Sequence, residues 1–262
     1  MESYIKTPQS TIRYRISGSG PAIVLLHGYL EDLTIWDELT VELENDHTVL
    51  SIDLPGHGKS DCNMDTISMD FMADAVRAVM HYEQIDKTFL LGHSMGGYVS
   101  LAFAERYPNT LTGLCLLHST PNADTEEKRA ARMADIQLVK EGKKEQIVQS
   151  NIPRLFANQN LEKFSGEIEH IKTIARSTSD SGIIGALNGM AQRPDRNQVL
   201  AQAKYPVNMI FGKFDNLIPI EVVQLLQERH KKARTVILNN SGHMGFIEEP
   251  DNTAKAIRSI LP

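Results

Sequence analysis

Apolar residues along this chain fall into short runs, and the runs alternate with segments where apolar positions recur every three or four residues. Ala22–Leu26, Thr48–Ile52, Thr88–Leu91, Leu111–Leu117, Val207–Phe211 and Thr235–Leu238 are the runs. A strand covered on both faces reads as continuous apolar sequence, so these are expected to be buried strands. Ser3–Thr7 and Thr11–Ser17 read as two opening strands, closed by the turn Gly18–Pro21. Helical spacing is expected over Trp36–Leu43, Met69–His81, Met95–Tyr107 (stopped by Pro108) and from Pro250 to the C-terminus. In the second of these the apolar positions are Met72, Ala73, Val76, Val79 and Met80. Strand and helix in alternation predict an α/β fold: a mostly parallel twisted sheet with helices on both faces.

The rhythm breaks between Pro121 and Gln192, where strand-like runs are missing and the sequence reads as several helices. Residues 1–120 and 193–262 are therefore expected to form the core, with 121–192 inserted as a helical cap or lid. Either the insertion governs substrate access or it is a helical subdomain with no part in binding. Its place after a parallel strand favours the first, because α/β sheets bind ligands at the C-terminal ends of their strands. Ile152, Leu155, Phe156 and Met190 are candidates to line a pocket or to pack the cap onto the core.

The chain has 262 residues, 41% of them hydrophobic and 23% charged, with a formal net charge of −6. No basic stripe is present beyond Lys143-Lys144 and Lys231-Lys232, so nucleic acid is not an expected partner. No apolar stretch is long enough to span a membrane. Cys62 and Cys115 form neither a CxxC pair nor a metal spacing, and no signal-like segment opens the chain. A reduced, cytoplasmic setting without metal or cofactor is the expectation, with Cys115 as a small buried hydrophobe.

Chemistry concentrates at Gly92-His93-Ser94-Met95-Gly96, a G-x-S-x-G that follows one expected strand and opens one expected helix. That context suits a nucleophilic serine, which must sit on a sharp strand-to-helix turn where neighbouring Cβ atoms would collide. A serine hydroxyl needs a base. Of nine histidines, His243 lies on the loop after the final strand, while His81, His170 and His230 lie on helical or charged segments and read as surface residues. His93 neighbours the serine but is expected to point elsewhere. The acid that orients the base is sought at a strand end. Asp215, after the strand at 207–211, is favoured over Asp124; its other reading is a solvated cap for the helix near Pro219. Asp53, His57 and Ser60 read as turn chemistry.

With these residues in place the chain resembles the α/β-hydrolase superfamily over nearly its full length, in an esterase-like and lactonase-like form with a helical cap. The resemblance rests on His27-Gly28-Tyr29, Asp53–Ser60, Gly92–Gly97, Gly212–Asp215, Gly242-His243 and the cap-closing run Gly189–Asp195. It implies a triad of Ser94, Asp215 and His243, and an oxyanion hole made by the backbone N–H groups of Tyr29 and Met95. Serine at 94, rather than aspartate, argues against the dehalogenase and epoxide-hydrolase branches. The implied activity is cleavage of a carboxylic ester or lactone through an acyl-enzyme, with a small acyl compound as partner. Two alternatives stay open: a carbon–carbon hydrolase or triad-using lyase, and a ligand receptor with little turnover. Among the lyases are 2-succinyl-6-hydroxy-2,4-cyclohexadiene-1-carboxylate synthases, which hold carboxylates with arginines. An arginine common there just after the elbow glycines is Tyr98 in this chain.

Overall fold

A computed structural model describes residues 2–261. Eight strands form one sheet in the order β1-β2-β4-β3-β5-β6-β7-β8. They are β1 (Glu2–Lys6), β2 (Thr11–Gly18), β3 (Ala22–Leu26), β4 (Thr48–Ile52), β5 (Thr88–His93), β6 (Leu111–Leu117), β7 (Val207–Gly212) and β8 (Arg234–Leu238). β1 and β2 pair antiparallel, β2 joins β4 antiparallel, and every later pairing is parallel. Every residue of β5 and of β7 is buried, as expected of strands covered on both faces, whereas the edge strand β1 alternates.

Helices α1 (Asp37–Leu43), α2 (Met69–Tyr82), α3 (Met95–Arg106), α8 (Asn197–Gln202), α9 (Ile220–Arg229), α10 (Gly245–Glu248) and α11 (Pro250–Arg258) connect the strands. The segment before α1, Leu33–Trp36, is a 3-10 turn capped by the Asp32 carboxylate, so the regular helix starts at Asp37. α11 ends at Arg258, short of the chain end assigned to it by pattern.

The strand order reverses at β3. The chain leaves β3 for β4 on one side, then crosses to β5 on the other. A crevice opens at such a switch point beyond the carboxyl ends of the strands. Here Leu26 pairs with Gly92, so the loops after β3 and β5 leave the sheet side by side.

Between β6 and β7 the described chain contributes only helices: α4 (Glu126–Lys140), α5 (Lys144–Asn151), α6 (Ser165–Ser177) and α7 (Asp180–Gln192), with 3-10 turns at Pro153–Leu155 and Asn158–Asn160, and then α8 leading into β7. α4 starts where the Thr125 hydroxyl accepts the Lys128 N–H, with Glu126 and Glu127 in its first turn and Lys140 in its last. Both charge placements suit the helix dipole. α7 buries Ile183, Ala186, Leu187 and Met190, and the Ile67 N–H donates to its Gly185 carbonyl at 2.9 Å. Among the described residues no helix is long and apolar enough to cross a membrane.

Candidate active site

Ser94 stands between β5 and α3 with φ 49° and ψ −112°, a backbone state that non-glycine residues rarely adopt. The turn is held from outside. The Ser94 N–H donates to the Leu117 carbonyl at 3.0 Å, and the Ser119 hydroxyl donates to the Ser94 carbonyl at 2.7 Å. Glycine is required on both sides: a Cβ on Gly92 would strike the Gly96 carbonyl, and one on Gly96 would strike that of Leu26. α3 can thus begin directly against β3.

Asp215 lies on the loop after β7, buried, and His243 on the loop after β8, 2% exposed. Their side chains meet at 2.7 Å, Asp215 Oδ2 to His243 Nδ1. Asp215 Oδ1 accepts the N–H groups of Leu217 and Ile218 at 2.8 and 3.0 Å. The two readings of Asp215 therefore hold together: one oxygen caps the turn into α9, the other holds the histidine, and neither is solvated. Burial would raise its pKa, but the charge and hydrogen bonds of His243 and His118 outweigh it and hold the carboxyl far below the usual range. The far nitrogen, His243 Nε2, is buried and has no hydrogen-bond partner among the described residues.

His118, missed by pattern because it ends the apolar run of β6, lies 3.6 Å from Asp215 Oδ2 through Nδ1. The N–H groups of Gly212 and Gly245 point at its two nitrogens, at 3.1 and 3.2 Å. A ring faced by donors is best left neutral, and burial pushes His118 down to about 4. His118, Asp215 and His243 bring ligand atoms within 4.8 Å of one another, a spacing that can hold a metal ion. The short Asp215–His243 hydrogen bond occupies Asp215 Oδ2 and His243 Nδ1.

His93 turns away from the cavity, as expected, but packs directly behind it. It is fully buried, with Nδ1 2.9 Å from Glu31 Oε2 and Nε2 2.9 Å from the His243 carbonyl. Glu31 Oε2 also accepts the Gly28 N–H at 2.6 Å. No motif marks Glu31; its distance from β3, one loop turn after Gly28, was the only signal. His230 is also buried rather than on the surface, because it closes α9 and reaches Asn197 at 2.7 Å. Asp53 is the turn residue expected: it holds Arg13 at 3.0 Å and accepts the N–H groups of Leu33 and Lys59. Ser60 accepts the Arg13 N–H and donates to the Asp53 carbonyl, and burial pushes His57 down to about 3.

Asp124 lies elsewhere, in a buried cluster with Arg132 of α4 (2.6 Å) and Arg193 (2.7 Å). Arg193 stacks over the Tyr98 ring at 3.8 Å. This knot ties α4 and the end of α7 to the turn after the elbow.

Ser94 and His243 open on one cavity of about 280 Å³. Its walls include Tyr29, Leu30 and Tyr98 from the sheet side, Ile152, Leu155, Leu187 and Met190 from the helical segment, and the charged Lys128, Arg132, Asp135 and Arg154. Phe156, the fourth apolar candidate, packs beside Phe164 and does not line it. The helical segment is bolted to the site loops: the His243 N–H donates to the Leu155 carbonyl at 2.7 Å, and Glu248 accepts from the N–H groups of Ala157 and Gly242. The N–H groups of Tyr29 and Met95 find no protein acceptor among the described residues.

A parallel sheet with a switch point, a serine on a strained elbow and a histidine held by a buried aspartate define the α/β-hydrolase class. Residues 21–250 match the alpha/beta hydrolase fold family, and the chain belongs to it. It is an enzyme of that fold. A thermophilic esterase from Thermogutta terrifontis superposes with a TM-score of 0.92 at 29% identity, over 99% of this chain and 97% of that one. The 2-succinyl-6-hydroxy-2,4-cyclohexadiene-1-carboxylate synthase of Enterobacter sp. (strain 638) is 28% identical over 92% of both chains. The pimeloyl-[acyl-carrier protein] methyl ester esterase of Aeromonas hydrophila subsp. hydrophila is 26% identical over 93% of this chain and 96% of its own.

Proposed function

We propose that the protein is a serine hydrolase that cleaves a carboxylic ester or lactone through an acyl-enzyme on Ser94. One observation carries this reading. His243 is fixed by Asp215 through Nδ1, while its Nε2, without a partner among the described residues, is left to the cavity it shares with Ser94. A base so placed takes the serine proton as Oγ attacks the substrate carbonyl carbon. The oxyanion receives the Tyr29 and Met95 N–H groups, each such donor contributing about 3–4 kcal/mol at the transition state. The intermediate collapses with loss of the alkoxide, which takes the proton back from Nε2. Water then repeats the sequence on the ester of Ser94 and releases the acid. None of these steps calls for a cofactor.

Residues 121–192 act in this reading as a cap over a core made of 1–120 and 193–262. What supports it is the shared cavity wall, contributed from both. The two cysteines of the chain, both free and buried, suit a reducing cytoplasm.

A second reading has one specific observation behind it. Lys128 and Arg154 line the cavity beside Arg132, which is paired with Asp124, and the lining carboxylates are Asp135 and the histidine-bound Glu31. A cationic wall suits a carboxylated substrate, and the same triad can remove a proton to start an elimination. A panel of p-nitrophenyl esters of graded acyl length, lactones and carboxylated ring compounds, with Ser94→Ala as the blank, separates the readings. Turnover of esters or lactones that vanishes in the blank supports hydrolysis. Turnover confined to the ring acids supports the lyase, and none at all supports a receptor.

A further inference from the structure

Three loops carry the proposed chemistry: the one after β3 with the Tyr29 N–H, the elbow with Ser94, and the one after β8 with His243. They meet at one buried pair of side chains that no step above uses. Glu31 is 1% exposed and His93 fully buried. Glu31 Oε2 takes the Gly28 N–H, one peptide before Tyr29, at 2.6 Å, and His93 Nδ1 at 2.9 Å. His93 precedes Ser94 directly, and its Nε2 lies 2.9 Å from the carbonyl of His243 itself.

The protonation of this chain of groups follows from what each atom can do. A carbonyl only accepts, so His93 Nε2 must carry a hydrogen. Glu31 Oε2 already accepts a backbone N–H, and with the carboxyl ionised it accepts from Nδ1 as well. Both nitrogens then hold protons and His93 is an imidazolium paired with a carboxylate. Burial opposes the charge on each partner. Their mutual attraction and hydrogen bonds outweigh it, raising the pKa of His93 and lowering that of Glu31. The cation lies between aromatic rings, 5.0 Å from Phe246 and 6.5 Å from Trp36. The other titratable rings facing it are His243 at 5.0 Å and His118 at 5.9 Å, with Asp215 beyond them and His27 near Glu31.

Local geometry is built around the pair. A Cβ on Gly28 would lie 2.7 Å from Glu31 Oε2 and 2.9 Å from His93 Nδ1, so residue 28 must be glycine for the carboxylate to reach the ring. Leu30 sits in the left-handed region with φ 62°, a cost in a loop that the carboxylate next to it holds in place.

We propose that Glu31 and His93 are positioning residues whose buried ion pair locks the oxyanion loop, the nucleophile elbow and the His243 loop into one register. The role rests on the serine-hydrolase reading above. It acts on kcat more than on substrate affinity, because Glu31 reaches the cavity only beside Tyr29 and Leu30 and spends its carboxylate on the Gly28 N–H and His93, while His93 stays behind the cavity.

The test has two arms. In the unsubstituted protein, long-range ¹H–¹⁵N correlation of ¹⁵N-histidine should show His93 protonated on both nitrogens at pH 8. A His93 with one bare nitrogen overturns the ion pair, whatever the variants do. In the second arm, the second-order rate of fluorophosphonate inactivation is measured for the wild type, Glu31→Gln, His93→Gln and the double variant. This rate reads nucleophile and oxyanion geometry without knowledge of the natural substrate. Each single variant should react ~10–100-fold more slowly, and the double variant no more slowly than the worse single, as for residues that act through each other. Folded Glu31→Gln reacting at the wild-type rate overturns the positioning role and leaves the hydrolase reading standing. Effects of the two singles that multiply in the double overturn their action as a pair. Wild-type protein that is folded yet inert to the probe overturns the hydrolase reading and this role with it.

Discussion

Asp215 divides its two oxygens between its own turn and His243. Oδ1 takes two backbone N–H groups of the turn, and Oδ2 takes His243 Nδ1 at 2.7 Å. An asparagine keeps one of these bonds and loses the other. If its oxygen stays on the turn, its amide N–H₂ faces Nδ1, which must then offer a lone pair, and the proton moves to Nε2. That tautomer cannot accept the proton of Ser94. Asp215→Asn should fold normally and lose up to ~10⁴ in kcat, as in the serine-protease template. Asp124→Asn should leave kcat within a few-fold of wild type. Steady-state kinetics of both variants on one ester decide the choice of acid; a crippled Asp124→Asn beside an active Asp215→Asn reverses it.

Asp124 should instead matter for stability. Burial would raise its pKa, but hydrogen bonds and charge from Arg132 and Arg193 lower it. A carboxyl whose folded pKa is depressed stabilises the fold above its unfolded value of about 3.9 and loses that contribution as pH falls through the folded value. Breaking a buried pair from one side costs about 3–5 kcal/mol. At pH 7 the Asp124→Asn variant should therefore melt lower by roughly 5–15 °C. The gap between the two proteins should narrow as pH falls below about 4. Melting curves from pH 7 to pH 3 check the sign, and a gap that widens in acid counts against the pairing.

Tyr29 separates backbone from side chain. Its N–H is a proposed oxyanion donor, and its hydroxyl is buried at the cavity without a partner among the described residues. Tyr29→Phe should cost little in kcat. Tyr29→Pro removes the N–H, and a lost donor costs ~10²–10³ in kcat. Circular dichroism and melting temperature confirm that the proline variant is folded. A folded Tyr29→Pro with near-normal kcat excludes the donor, and a large loss in Tyr29→Phe gives the phenol a role of its own.

Met190 forms part of the wall of a cavity of only about 280 Å³. Met190→Trp should shrink it and raise KM for the longest accepted acyl esters by ~10-fold, since each methylene in an apolar pocket is worth about 1–3 kcal/mol. Esters of short acids should be unaffected. An equal effect across chain lengths would mean that the acyl group lies elsewhere.

How much of this was legible in the sequence depended on whether a feature was local. Ala22–Leu26, Thr48–Ile52 and Leu111–Leu117 are strands with the limits read from their apolar runs, because burial on both faces leaves a continuous signature. The elbow was legible because strand, glycines and helix lie within a few residues of Ser94. Asp215 and His243 were found by their places at strand ends, and the fold brings them together. Glu31 and His118 were not found, since their roles depend on loops that are distant in sequence and adjacent only at the switch point. The partners of His93 are hidden for the same reason: they lie 62 and 150 positions away. His230 reads as a surface residue because its segment is charged, yet it is buried, with a hydrogen bond to Asn197.

The most direct measurement is peptide mapping after treatment with a fluorophosphonate. In the proposed mechanism the elbow, the base and the oxyanion donors together make one serine reactive and leave the others ordinary alcohols. The account predicts a single adduct per chain, on Ser94 in the peptide that carries Gly92-His93-Ser94-Met95-Gly96, with labelling abolished in Ser94→Ala. An adduct on another serine, or folded protein with no adduct, would contradict it.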